Sequence, residues 1–383
     1  KSVVDQAKAL SGKFDKIGEA RELINQAMSD SQLSQDAKTY YTAGKIEFDA
    51  FDSGAKAGLI NPEAPSANPI LMGEELLNGY ELFLKALPLD SVPNEKGQIK
   101  PKYAKDIVGK LAGHVNDYFK AGAAFYEAKK FYPEAYNAFI IYATMPDMAF
   151  MGDKAPKLND VDRGQSFFNA GLAAWSGNEP VKSADAFRDA RGMGFDDVNA
   201  YVYELACWQN LAQKDSTMAE TAKNRIMAVA KEGNDKFGMA QPVFLNNMIS
   251  CMVHDNRIDE SIAAINTLME SNPDNASLYG LRAYVYDRAG KDAESIADYK
   301  AAAKMPNVDF ETLKNAAKKL YRDGTEKYNS LEMSDREGRM QVKADYFMPA
   351  KEIVDKANEL NPGDSDMNYV TESINYALET FFK

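Results

Sequence analysis

Residues 242–307 repeat themselves with a fixed period of 34. Asn256 aligns with Gly290, Ile258 with Asp292, Ser261 with Ser295 and Ile265 with Tyr299. The first copy closes at Pro273 and the second at Pro306, one residue short of perfect register. A period of this length marks a stacked-repeat architecture, in which one supersecondary unit cannot bury its apolar face alone and neighbours must do it together.

Within a copy the apolar residues return at steps of three and four, the helical spacing. Leu278, Leu281 and Val285 line a first helix expected over Ser277 to Ala289; Ile296, Tyr299 and Ala303 line a second ending near Lys304. Gly290 suits the left-handed geometry that ends a helix, and Asp292 is expected to cap the next. Ala283 and Ser295, matched by Ile249 and Ser261 one copy earlier, sit where the paired helices must approach closely. Pro273 and Pro306, without a backbone donor, close each copy.

Residues 276–307 carry Tyr279, Ala283, Tyr286, Gly290, Ser295, Tyr299, Ala302 and Pro306, a spacing of large, small and turn residues that resembles the tetratricopeptide repeat (TPR). The pattern is equally sharp over 119–146 and 164–194. The resemblance implies an all-α fold, a right-handed α-solenoid of about eight TPR-like antiparallel helix pairs plus a C-terminal capping helix. It spans residues 1–383 as a single array, with 1–100 divergent, 101–307 well matched and 308–383 divergent again. Insertions are expected at Gly54 to Asn68, at Pro88 to Lys100 and at 147–160. Pro101 suits the first position of a long helix, Lys102 to Lys129, that carries His114. The eighth pair has an overlong first helix from Phe310 to about Leu331, an interruption at Glu332 to Glu337, and a second helix bearing Ala350, Val354 and Ala357. A last helix, Asp366 to Phe382, caps the array.

A formal charge of −12 argues against nucleic acid or anionic lipid as the principal partner. No run of eighteen apolar residues exists, so no transmembrane segment is expected. Cys207 and Cys251 fall at equivalent places on first helices of neighbouring pairs. Adjacent helices pack about 8–10 Å apart and a disulfide needs Cα atoms about 4.4–6.8 Å apart, so two free, packed thiols are expected. The chain starts at Lys1 and not at Met. The expectation is an exported protein of a gram-negative periplasm or cell envelope with its signal removed, the alternative being a cytoplasmic one.

Reactive constellations are scarce. His114 and His254 lie on different helices, and no metal-ligand spacing, nucleophile elbow or phosphate-cradling loop is present. Ser53-Gly-Ala-Lys56 reads as a flexible turn. Met145, Met148 and Met151 could offer thioethers to copper but read more simply as gap-filling apolar residues. Glu74-Glu75 and Asp335-Arg336-Glu337 read as solvated faces. A helical toroid with two central carboxylates, a glycosidase scaffold, is the enzymatic alternative.

The resemblance also implies a concave wall of first helices that binds a peptide or protein segment. Carried onto this chain, that wall comprises Lys120 and Glu127; Phe168, Leu172 and Trp175; Val202, Gln209 and Asn210; Asn246, Ser250 and His254; and Tyr284, Asp287 and Arg288. The function expected is non-catalytic, that of a protein-interaction scaffold without cofactor or metal. A small-molecule or glycan-binding protein using the same groove is a further alternative. The insertions would fold over the groove and narrow it.

Overall fold

The computed structural model describes residues 2–382, which contain helices, turns and loops and no strand. They form two compact units, 1–233 and 234–383. In the first, the helices are α1 (Val3–Ser11), α2 (Ile17–Ser29), α3 (Ala37–Ile60), α4 (Pro69–Asp90), α5 (Ala104–Gly113), α6 (Val115–Glu127), α7 (Tyr132–Thr144), α8 (Asp160–Ser176), α9 (Pro180–Gly192) and α10 (Val198–Lys214). The boundary falls within α11 (Ala219–Phe237). The second unit continues with α12 (Pro242–His254), α13 (Ile258–Ser271), α14 (Ala276–Arg288), α15 (Asp292–Lys304), α16 (Phe310–Ser330), α17 (Arg336–Val342), α18 (Met348–Leu360) and α19 (Ser365–Thr380).

In unit 1 the hairpins α1/α2, α3/α4, α6/α7 and α8/α9 pack in chain order, each second helix lying against the first helix of the next hairpin. Ala222 and Ile226 of α11 join Cys207, Trp208 and Leu211 of α10 in one apolar cluster. In unit 2 the same order holds for α12/α13, α14/α15 and α16/α18, and α19 closes the stack through Met367, Val370, Ile374 and Ala377. Packing between neighbours in chain order is the arrangement of a solenoid.

Two local devices recur. At the turn inside a hairpin one residue takes the left-handed conformation: Asn178 (φ 59°), Asn256 (58°) and Gly290 (71°). The amide that follows reaches back across it, as in Glu179 to Ala174, Arg257 to Met252 and Lys291 to Tyr286, at 2.8–2.9 Å, which satisfies a carbonyl the helix end leaves open. The second device is close approach. A Cβ on Gly171 of α8 would stand 2.6 Å from the ring of Phe187 on α9, so only glycine lets the buried ring lie flat on the helix.

Several expectations are corrected by the local chemistry. The stretch Gly54 to Ile60 is not an insertion: α3 continues through it, because Ala55 and Ala57 favour helix and Gly54 packs against the backbone of Ser66. Ser53-Gly-Ala-Lys56 is therefore helical. Only 61–68 remains as a connection. Helix α4 likewise runs through Pro88 to Asp90, the proline falling in its last turn. Pro101 does not begin a helix. The buried Asp90 carboxylate accepts from the amides of Lys102, Tyr103 and Ala104 at 2.7–2.9 Å and starts α5 at Ala104 instead. The long helix Lys102 to Lys129 is two, broken at His114. Asp292 does not cap α15: it is the first helical residue, and its carboxylate pairs with Lys319.

Cys207 and Cys251 are buried and not joined in a disulfide. Burial pushes the Cys207 thiol up to about 11, and it lies 3.4 Å from Ser183 Oγ. Met145 and Met151 are buried in the first core, while Met148 accepts from the Tyr80 hydroxyl at 3.4 Å. In this fold the three thioethers serve packing.

Candidate binding site

The break at His114 has a structural consequence. It turns the imidazole onto α3, where the ring lies 5.1 Å from Phe48 and meets Phe51 edge-on at 5.4 Å. Asp117, one turn into α6, faces Nδ1 at 3.0 Å, and Asp52 of α3 stands 3.5 Å from Nε2. Hydrogen bonding to His114 holds the Asp117 carboxyl below the usual carboxylate range, against the opposing effect of its partial burial.

These groups form the polar end of a cleft of about 380 Å³ between α3, α4 and α6. Its walls are Phe51 and Ala55 from α3, Met72 and Gly73 from α4, and Ala121 and Ala124 from α6, with Ala67 and Pro69 along the rim. The floor is set by Gly73, where a Cβ would come within 2.7 Å of the Phe125 ring, so the ring of α6 packs directly on the α4 backbone there. Phe51, Ala55 and Leu59 recur at four-residue steps and so share one face of α3. Leu59, at 87% exposed, carries that apolar stripe beyond the cleft. An apolar pocket with a few convergent polar groups is the general form of a ligand site.

Of the residues expected on the concave wall, Lys120 lines this cleft and its ammonium is 3.4 Å from Asp117. Glu127, seven residues on, is exposed on the same face of α6. Elsewhere in unit 1, Trp175 is 46% exposed, Gln209 is exposed, and Leu172, Val202 and Asn210 are half-buried. Phe168 is corrected: it is buried, stacked on Phe195 at 4.8 Å and packed against Phe187, and so belongs to the core. In unit 2, Asn246, Ser250 and His254 are exposed at four-residue steps along α12, and Tyr284 is half-buried. Asp287 is also corrected. It is tied to Lys319 and to Arg322, each at 2.7 Å, and is not a free acceptor; its neighbour Arg288 is exposed.

A third correction concerns Glu74-Glu75. Glu74 is exposed, but Glu75 is only 5% exposed and shares Arg21 with the buried Glu47. The role of His114 was missed as well, since nothing near it in sequence announces Phe48, Phe51 or Asp52. For Glu75 a signal existed: it is next to Leu76 on the helix whose buried positions are otherwise Gly73, Gly79, Phe83, Ala86 and Asp90.

No family model matches the chain, and no curated protein sequence does. Among solved structures, the crystal structure of the P58(IPK) TPR domain aligns over 99% of both chains at 14% identity, with a TM-score of 0.28. A chain of the structure of Naa15/Naa10 bound to HypK-THB aligns over 99% of this chain and 73% of its own, at 10% identity and a TM-score of 0.19. At these scores the whole chains do not superpose. The hairpins and their 34-residue period carry the fold by themselves.

Proposed function

We propose that this chain is a non-catalytic, TPR-like scaffold that holds a segment of a partner protein, and that the cleft between α3, α4 and α6 seats one apolar side chain of that segment. The observation that carries this reading is the cleft itself. Its apolar walls belong to three different helices, its one polar end is His114 with Asp52 and Asp117, and an exposed leucine extends its face. Burying one such side chain contributes about 1.5–3 kcal/mol, the size of a single interface anchor.

Lys120, Glu127, Trp175 and Gln209 extend the contact surface over unit 1; Asn246, Ser250, His254 and Arg288 offer a separate surface on unit 2. Among the described residues no helix is long and apolar enough to cross a membrane.

A photo-crosslinking amino acid placed at Ala124, in the full chain expressed in its native cell, tests the reading. The outcome expected is one discrete protein adduct, absent when the same group is placed at the exposed Glu220 of α11. Adducts of equal yield and identity from both positions would overturn it. An adduct to a small molecule and none to protein would also overturn it, in favour of a small-molecule or glycan site.

A further inference from the structure

Arg21 of α2 reaches across α3 to α4. Its Nε and Nη2 donate to the two oxygens of Glu47 at 2.9 and 2.6 Å, and Nη2 also donates to Oε1 of Glu75 at 3.1 Å. One guanidinium thus serves two buried carboxylates, Glu47 at 9% and Glu75 at 5% exposed. The second oxygen of Glu75, Oε2, is buried and has no hydrogen-bond partner. Buried charges are ordinarily paired, and leaving a buried acceptor unmet is unfavourable. The triad is one donor short.

Glu75 lines a groove of about 450 Å³ between α2, α3 and α4. Four carboxylates border it (Glu47, Glu74, Glu75 and Glu81) against two cations, Arg21 and Lys85. Met28, Leu71 and Leu82 supply an apolar strip beside them. The combination fits a group with an aliphatic stem and a cationic end, whose methylenes lie on the leucines while the head meets the acids. The chain's charge of −12 also favours a cationic partner.

We propose that this groove receives a lysine or arginine side chain of a partner protein, whose ammonium or guanidinium completes the half-satisfied Glu75 carboxylate. The groove shares no lining residue with the α3/α4/α6 cleft, so this inference goes beyond the function proposed above and fails or stands separately. Burial raises the Glu75 carboxyl to about 6 despite the opposing pull of Arg21. A cation at Oε2 favours the ionised form, so binding strengthens as pH rises through that value.

Titration of the full chain with N-acetyl-arginine amide, followed by the ¹³C signal of the Glu75 carboxyl, tests the proposal. Saturable binding is expected. It should weaken about tenfold between pH 7 and pH 5, as ionised Glu75 is depleted, and be lost in Glu75→Gln. Equal binding of the neutral N-acetyl-norleucine amide, or unchanged binding by Glu75→Gln, would overturn it. If Glu75→Gln does not fold, the exposed pair Glu74→Gln plus Glu81→Gln carries the test: weaker binding supports the site and undiminished binding overturns it. Putrescine binding more tightly than the blocked arginine would overturn the assignment to a protein side chain.

Discussion

Ser295 donates its hydroxyl to the carbonyl oxygen of Ala283 at 2.8 Å, from the second helix of a hairpin to the first. In the other unit Ser183 makes the same bond to Gly171, also at 2.8 Å and also twelve residues back. Both serines are fully buried. The small residue that lets paired helices approach is therefore also a polar clasp between them. Ser261, at the corresponding place in α13, donates instead to the carbonyl of Arg257, the residue just before its own helix, and the residue facing it is the bulkier Ile249. Ser295→Ala is expected to lose about 1 kcal/mol and Ser295→Val more, since no space exists for the added methyl groups. Urea unfolding of the full chain, followed separately by signals from the two units, measures both. Equal stability of all three would show that the serine is only a small residue.

Glycine substitutions should split by surroundings. Gly171→Ala gains helix propensity but pushes a Cβ into the Phe187 ring, 2.6–2.8 Å away and only 1% exposed. Overpacking costs about 1–3 kcal/mol against a propensity gain of about 1, so a net loss is expected. Gly109→Ala, inside α5 with nothing within 4 Å of the new Cβ, should stabilise by about 0.5–1 kcal/mol. Thermal melts of the two variants, moving in opposite directions from the parent, check this.

Much of this packing was legible in the sequence. The positions that repeat every 34 residues are those that bury or turn: Ile265 and Tyr299, Ser261 and Ser295, Asn256 and Gly290. Periodicity reports what a helix repeats, which is its apolar face and its ends. It is silent on features made once. The break at His114 comes from a local Gly-His step and from aromatic rings some sixty residues earlier. The later start of α5, at Ala104, comes from Asp90, across a loop. Phe168 was placed on the wall because its slot faces inward in a regular repeat, and Phe195, in the connection after α9, covers it here. The solvated reading of Glu75 failed because its partner, Arg21, belongs to a different hairpin.

Unit 2 contains a buried cation, Lys319, 3% exposed and held by Asp287, Asp292 and Asp323. The three carboxylates together raise its ammonium above the ordinary lysine value, overcoming the cost of burial. Lys319→Met leaves Asp287 and Asp323 with Arg322 alone and should destabilise the unit by about 3–5 kcal/mol. Replacing Asp292 too, by Asn, should recover part of the loss. A double-mutant cycle by urea unfolding measures the recovery, and strict additivity would contradict the network.

Stability should also respond to pH through Glu75. Its folded value of about 6 lies above the ordinary 4.5, so the folded chain binds more protons than the unfolded one between those limits. Stability from this group is therefore fully present below about pH 4.5 and declines as pH rises to 6, by about 2 kcal/mol. Glu75→Gln should flatten that part of the profile. Asp117 acts in the opposite sense: its lowered carboxyl adds stability above the ordinary aspartate value, lost as pH falls below it.

The proposed function depends most on the α3/α4/α6 cleft as the seat of a partner's side chain. Calorimetric titration of the segment crosslinked at Ala124, made as a synthetic peptide, into the parent chain and into Ala55→Arg plus Ala124→Arg tests that directly, because both alanines are half-buried wall residues whose replacement fills the cleft. Loss of one anchor predicts at least about a tenfold drop in affinity, with the helical circular dichroism unchanged. Equal affinity for parent and filled chains would contradict it.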